Sequence, residues 1–383
     1  MKKIIALIAA VGCISTVDMH AAYAENIEVS AKAAVVISAD TGEIIYSKNS
    51  GEKLPMASTT KIMSALLCLE SGDLYEPFTV DSEAIKVEGS SMGLQKGDIV
   101  TKYALACGML LPSGNDGANA AAVKISGSLE AFAELMNDRA QKIGLSKTYF
   151  ITPSGLEGEG HGSSAEDMAI LAAEALKNDL FREICSSSSM KLEYGNPPYT
   201  RWLKNTNKLL TMYDGVYGVK TGFTDEAGRC LVSACEREGK RLICVTLNAP
   251  DDWNDHIKLY EDSFKRVNAQ ELCIPCEMYV NLAGSDKEKL SVTVGEDIAD
   301  FTVYNCNTAD FTYTVAAPPF VYAPVKAGDV AAELIVSGNG RELQRLPLYA
   351  AEDAEYKFSE SENGEKSGNF ITKVKDIFSK WKK

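Results

Sequence analysis

The chain has 383 residues, a formal net charge of −14, and 45% apolar against 24% charged side chains. That is a globular composition, long enough for two domains. The acidic balance excludes a nucleic-acid binder, which needs a basic face.

The first residues read as a targeting segment. Lys2 and Lys3 precede an apolar run to about Val17, and Ala22-Tyr-Ala24 forms a small-x-small cleavage site before Glu25. Residues 1–24 are therefore expected to be an export signal. Lipidation at Cys13 fits less well, because Ala10 stands where a large aliphatic residue is wanted. No other stretch has 18 consecutive apolar residues, so no further spanning helix is expected. Removing the signal leaves an odd number of the ten cysteines, hence at least one unpaired thiol. Cys68, Cys235 and Cys244 sit inside apolar runs and read as small buried hydrophobes. Cys273-Ile-Pro-Cys276 is the one close pair, read as a local disulfide or two free thiols. Zinc is not expected, since only His161 and His256 remain to complete a site.

Residues 33–39 and 43–47 flank Asp40-Thr-Gly42 and predict a hairpin. Pro55 then leads into a helix expected to open at Ser58, apolar on nearly every side past Lys61 (Ile62, Met63, Ala65, Leu66, Leu67, Leu69). A helix apolar all round is buried. Ser58 and Lys61, three apart, share one face at its mouth. A hydroxyl and an amine held together there can form a nucleophile and its base. Ser-x-x-Lys also occurs at Ser50/Lys53, Ser188/Lys191 and Ser379/Lys382, where a capping serine and a solvated lysine suffice. The apolar continuation and the downstream motifs set Ser58/Lys61 apart.

Residues 74–179 are expected to be mostly helical. A loop at 88–97 precedes a helix over 101–111 that stops at Pro112-Ser-Gly-Asn115, and helices follow over 118–125 and 129–143. Ser163-Ser-Ala-Glu166 has capping-box spacing ahead of a helix over 168–176. His161, in a glycine-rich turn, is read as structural. Strands are expected over 216–221, 229–236 and 241–247, then a helix over 255–267. Strands at both ends of a helical middle predict one antiparallel sheet with an inserted helical region, an α+β arrangement.

Composition changes at Cys273. Short strands over 278–282, 289–294, 301–304, 311–316, 331–336 and 343–348 predict a small all-β domain over 273–350, with Gly338-Asn-Gly340 turning the last pair. Residues 351–368 form an acidic linker. In 369–383, Phe370, Val374, Ile377, Phe378 and Trp381 fall on one helical face beside a lysine cluster. This predicts a helix lying on an anionic membrane surface.

Three motifs occur in order: Ser58-Thr-Thr-Lys61, Ser113-Gly-Asn115 and Lys220-Thr-Gly222. They match the S-x-x-K, S-D-N and K-T-G set, with Gly114 in place of Asp. Met56-Ala-Ser-Thr-Thr-Lys61, Leu111-Pro-Ser-Gly-Asn-Asp116, His161-Gly-Ser-Ser-Ala-Glu-Asp167 and Gly218-Val-Lys-Thr-Gly-Phe-Thr224 extend the match. Across the mature chain the sequence resembles the low-molecular-weight penicillin-binding proteins, the serine-type D-alanyl-D-alanine carboxypeptidases.

The resemblance implies a β-lactamase/transpeptidase-like domain over 25–272 and removal of the terminal D-alanine from peptidoglycan stem pentapeptides. It implies β-lactams as covalent inhibitors, no cofactor, and a place on the outer face of the cytoplasmic membrane. Ser58 would be the nucleophile, Lys61 its base and Ser113 a proton relay. Asn115, Lys220, Thr221 and Gly222 would bind substrate, and the Ser58 and Phe223 N–H groups would form the oxyanion hole. Many relatives carry an arginine after the third strand to hold the substrate carboxylate; Asn248-Ala-Pro-Asp-Asp-Trp-Asn-Asp-His256 has none. Two other readings are a β-lactamase, which needs a deacylating glutamate not found between Asn115 and Lys220, and a β-lactam- or wall-binding module without turnover.

Overall fold

The structure is a computed structural model that describes residues 27–156, 158–270, 274–295, 301–304, 311–338 and 341–357. The expected export signal, most of the linker and the C-terminal helix lie outside these residues, as do Cys273 and the turn at 339–340. The architecture is mixed α+β with antiparallel sheets, divided into two units.

The first unit is built on a five-stranded antiparallel sheet. Its strands are β1 (Ala33–Ser38), β2 (Ile44–Lys48), β7 (Val216–Thr224), β8 (Gly228–Arg237) and β9 (Lys240–Leu247), in spatial order β2-β1-β9-β8-β7. Ala33 to Ser38 is buried at every position. Alternate residues serve two cores, Ala33, Val35 and Ile37 on one face and Ala34 and Val36 on the other. That explains why β1 reads as an unbroken apolar run.

Between β2 and β7 the chain makes the helices, in this order: α1 (Lys61–Glu70), α2 (Lys102–Leu110), α3 (Asn115–Ser126), α4 (Leu129–Ile143), α5 (Ala165–Leu176), α6 (Asp179–Ser186) and the single turn α7 (Leu209–Met212). Two short ribbons interrupt them, β3 (Phe78–Thr79) with β4 (Ile99–Val100), and β5 (Ser189–Gly195) with β6 (Pro198–Lys204). Helix α8 (Asp252–Arg266) covers the other face of the sheet. There Ser233 Oγ meets His256 Nδ1 and Tyr260 Oη, both at 2.7 Å, and Thr246 Oγ1 lies 3.0 Å from His256 Nε2. Burial pushes the His256 pKa down to about 3, so the ring is neutral.

Several expectations are revised. Ser58 does not open an α-helix: Ala57–Thr60 is a 3-10 turn and α1 begins at Lys61. That turn runs directly into α1, and Ala57 at its head has a left-handed φ of 47°. Ser164, not Ser163, caps α5 by accepting from Asp167 N at 3.1 Å. Ser163 Oγ instead meets Thr148 Oγ1 at 2.7 Å. The β5–β6 hairpin and α6 were not expected.

In the second unit, β11 (Met278–Ala283), β12 (Lys289–Val294), β14 (Thr312–Ala316), β15 (Val321–Tyr322), β16 (Val330–Gly338) and β17 (Arg341–Ala350) form one sheet in the order β14-β16-β17-β12-β11-β15. Met278, Val280, Leu282, Leu290, Val292, Leu334 and Leu348 fill its core. The strand expected over 301–304 does not join this sheet: β13 (Phe301–Tyr304) pairs with β10 (Val267–Gln270) in the first unit. The start of the expected linker is packed, with Ala354 buried and bridged to Val325. Cys276 is a free, exposed thiol, whereas Cys68, Cys107, Cys185, Cys230, Cys235 and Cys244 are free and buried.

Candidate active site

The three motifs converge where α1, α3 and β7 meet. Ser58 lies in the turn before α1, and Lys61 Nζ is 2.8 Å from its Oγ. Lys61 is fully buried and also donates to Asn115 Oδ1 at 2.7 Å and the Ser154 carbonyl at 2.5 Å. These partners account for the two N–H bonds of a neutral amine and leave its lone pair for the Ser58 hydroxyl.

The neutral form is favoured. Burial holds the Lys61 pKa well below the ordinary lysine range, and the Lys220 ammonium pushes the same way; the Asp116 carboxylate opposes them. Lys220, buried on β7, is itself lowered to about 7 by desolvation, and its ammonium donates to the Thr221 carbonyl at 2.7 Å. A hydroxyl beside an amine that resists protonation in its resting state, yet can accept a proton when the hydroxyl attacks, is a nucleophile–base pair.

Asn115 begins α3. Its amide nitrogen donates to the Glu88 carbonyl at 2.6 Å while its oxygen faces Lys61, so the side chain is held at both ends. Ser113, two residues earlier, is buried and has a left-handed φ of 65°. For a non-glycine residue such a backbone costs roughly 1–3 kcal/mol and persists only where the surroundings enforce it. Ala57, beside Ser58, is a second such residue.

Gly222 permits the approach of β7. A Cβ there would lie 3.1 Å from Met56 O, Ser58 N and Thr59 N, so the strand runs against the amides that open the 3-10 turn. Thr221 Oγ1 meets Thr206 Oγ1 at 2.7 Å, and the Phe223 side chain is exposed. Beside these lies an open cleft of about 500 Å³ lined by Glu88, Leu156, Phe223, Thr224 and Asp225. Among the described residues no cluster of three His, Cys, Asp or Glu side chains is arranged to hold a metal.

Three supports hold the pair; sequence reasoning missed the first and third and read the second as structural without its contacts. The first is the 152–156 turn, which supplies the Ser154 carbonyl to Lys61 and packs Gly155, at φ 85°, against the Ala57 carbonyl. The second is His161. Its Nδ1 accepts from Ile151 N at 2.9 Å, so its Nε2–H faces Thr60 Oγ1 at 2.9 Å, and that hydroxyl donates to the Ala57 carbonyl at 2.8 Å. Burial and Lys53 depress the His161 pKa to about 4, so the ring is neutral, and its partners give it a structural role. The third is Asp116, whose carboxylate accepts from Ser91 Oγ and from the backbone amides of Met92, Gly93, Leu94 and Gly117, pinning the loop that contains Glu88. His161 and Asp116 both lie in the stretches that carry the family resemblance, which was the available signal; Ser154 acts through its backbone and left none.

The comparisons with known proteins give the family of the chain. A family model described as Peptidase_S11, D-alanyl-D-alanine carboxypeptidase, matches residues 19–251. The chain is 33% identical over 363 residues to the Bacillus subtilis D-alanyl-D-alanine carboxypeptidase DacF, covering 92% of this chain and 90% of the relative. Among solved structures it is similar to the D-alanyl-D-alanine carboxypeptidase DacD from Francisella tularensis (26% identity, TM-score 0.62, 87% of this chain and 95% of that one). It is also similar to the Streptomyces K15 DD-transpeptidase (30% identity, TM-score 0.60, 63% and 100%). The protein therefore belongs to the D-alanyl-D-alanine carboxypeptidase family, Peptidase_S11.

Proposed function

We infer that the protein is a serine-type D-alanyl-D-alanine carboxypeptidase that removes the terminal D-alanine from peptidoglycan stem pentapeptides and is inhibited by β-lactams. The observation that carries this reading is the 2.8 Å contact between Ser58 Oγ and a Lys61 held off its charged form.

In this mechanism Ser58 Oγ attacks the carbonyl between the two D-alanines while its proton passes to Lys61 Nζ. The N–H groups of Ser58 and Phe223 stabilise the oxyanion, an arrangement supported by the approach of Gly222 to Ser58 N. Ser113 relays a proton to the leaving amine, and the C–N bond breaks. Asn115 orients Lys61 and holds the substrate amide. Lys220 and Thr221 receive the terminal carboxylate, and Gly222 lets the substrate backbone lie along the edge of β7. Water then cleaves the Ser58 ester and releases the tetrapeptide. A β-lactam acylates the same serine.

The rest of the chain fits this task. Residues 1–24 export the protein, and 273–350, apart from β13, form a small all-β domain, supported by the second unit's sheet. Residues 369–383 lie on the membrane as an amphipathic helix, so the enzyme works at the outer face of the cytoplasmic membrane. Among the described residues no helix is long and apolar enough to cross a membrane.

The test is intact mass after incubating residues 25–383 with benzylpenicillin, alongside D-alanine release from a pentapeptide. Wild type should carry one adduct that persists for minutes and should release D-alanine. Ser58→Ala should do neither, and hydrolysis retained by that variant would sink the assignment. Rapid loss of the adduct would indicate a β-lactamase, and an adduct without D-alanine release a binding module.

A further inference from the structure

The proposed reaction fixes the direction of the substrate along β7. Its terminal carboxylate is received at Lys220 and Thr221, and its scissile carbonyl meets the Phe223 N–H. Moving from Thr221 to Phe223 therefore runs from the C-terminus of the stem toward its N-terminus. The third stem residue, which precedes the two D-alanines, falls beyond Phe223, where β7 ends at Thr224 and turns through Asp225.

The cleft of about 500 Å³ opens at that point, lined by Glu88, Leu156, Phe223, Thr224 and Asp225. Its lining is of two kinds. Leu156 is half-buried and Phe223 is exposed, so both offer apolar surface. Glu88 and Asp225 are exposed, and neither carboxylate has a hydrogen bond or ion pair with another described residue. The cations nearest to them in the fold's local chain are committed elsewhere, Lys86 to Glu83 and Arg229 to Asp252, both at 2.7 Å.

Both carboxylates stand on held backbone. The Glu88 carbonyl accepts from Asn115 Nδ2 at 2.6 Å. Gly89, at φ 88°, turns the chain where a Cβ would lie 2.7 Å from that same nitrogen. On the other element, Thr224 Oγ1 accepts from Ala227 N at 3.0 Å and closes the turn that carries Asp225. Free anions on two fixed segments, with apolar surface in the same cleft, match a straight aliphatic chain that ends in an ammonium. Such a side chain lays its methylenes on apolar surface and keeps its charged head in water.

We propose that Glu88 and Asp225 make the enzyme selective for stems whose third residue carries a free side-chain ammonium. The proposal rests on the carboxypeptidase reading above and deepens it. Leu156 and Phe223 cover the methylenes, and the two carboxylates hold the cationic head.

The test measures D-alanine release by residues 25–383 from Nα-acetyl-L-Lys-D-Ala-D-Ala, with a free ε-amine, and from the same peptide acetylated at Nε. In kcat/KM, wild type should favour the free amine by roughly 3- to 10-fold at low salt, as two solvent-facing ion pairs would give. Most of that preference should vanish at about 1 M salt, where the screening length falls to roughly 3 Å. Asp225→Asn and Glu88→Gln should each lower the preference, mainly through KM. The double variant should abolish it, and Asp225→Lys should invert it. The ratio compares two substrates on one enzyme, so partial misfolding does not alter it. A third peptide, with diaminopimelate in place of lysine, sets a carboxylate beside the ammonium and separates two sources of that cation. Turnover equal to that of the lysine peptide would show that the ammonium alone is read; turnover near that of the acetylated peptide would restrict the preference to lysine-type stems. No preference in wild type, or a preference that none of the variants changes, would overturn the proposal and leave the carboxypeptidase reading intact. Absence of D-alanine release from every peptide by wild type would overturn that reading and this proposal with it.

Discussion

Gly155→Ala is the sharpest probe of how the nucleophile is held. Gly155 has φ 85°, and a Cβ there would lie 2.1 Å from the Ala57 oxygen, 2.6 Å from the Ala57 carbonyl carbon and 2.9 Å from Thr60 Oγ1. Restoring ordinary contact requires the two backbones to part by more than about 1 Å, since non-bonded carbons rest roughly 3.5–4.0 Å from their neighbours. Neither backbone is free to yield. The Ala57 carbonyl is fixed by Thr60 Oγ1, which meets His161, and Ser154, next to Gly155, is bonded to Lys61.

The left-handed backbone costs an alanine roughly 1–2 kcal/mol, and overpacking adds about 1–3 kcal/mol. The expected destabilisation is about 2–5 kcal/mol, a fall in Tm of roughly 5–15 °C for a unit of this size. Separation of the two segments displaces Ser58 or withdraws the Ser154 carbonyl from Lys61. A displacement of about 1 Å can lower acylation by roughly 100-fold. Thermal melting and the rate of benzylpenicillin adduct formation by intact mass measure the two effects. A variant melting within about 2 °C of wild type and acylating within about threefold would refute the idea that this contact positions the nucleophile.

Two further predictions follow from the same geometry. The rate of benzylpenicillin acylation should rise with pH as Lys61 loses its proton. In Lys220→Gln that rising limb should move to higher pH, because removing a neighbouring cation eases protonation of Lys61, and the move should be partial because burial is the larger cause. A limb that stays in place or moves toward acid would disprove the coupling. Asp116→Asn replaces an acceptor of five hydrogen bonds, four from backbone amides, with a group whose nitrogen cannot accept. It should cost about 3 kcal/mol or more and expose 88–94 to proteolysis, whereas an unchanged digestion pattern would mean the loop is held by other contacts.

Much of the site was legible in local sequence. Ser58 and Lys61 are one turn apart, so their meeting needs only the local backbone, and Asn115 and Lys220 follow from motif spelling together with the family resemblance. The helical span fared less evenly. Residues 129–143 were read to the residue, because Ser128 caps α4 and Gly144 ends it with a left-handed φ. The β5–β6 hairpin went unread although Met190, Leu192 and Tyr194 alternate with Lys191 and Glu193 and pack on the helical core, while Tyr199 and Trp202 of its partner strand are exposed.

The sequence by itself determined the chemistry available: which hydroxyl, which amines and which amide stand at motif spacing, and an α+β order of elements that brings strands from both ends of the catalytic unit into one sheet. Only the tertiary structure decided what state those groups are in. Lys61 is a base because packing removes it from water and sets Lys220 near it, and no local pattern encodes that desolvation. The same holds for contacts made by backbone or across long sequence separations, such as the Ser154 carbonyl on Lys61, His161 on Thr60 and Asp252 on Arg229. A backbone carbonyl has no residue identity to read, and a pairing between distant segments exists only once the register of the sheet and the packing of the helices have fixed it.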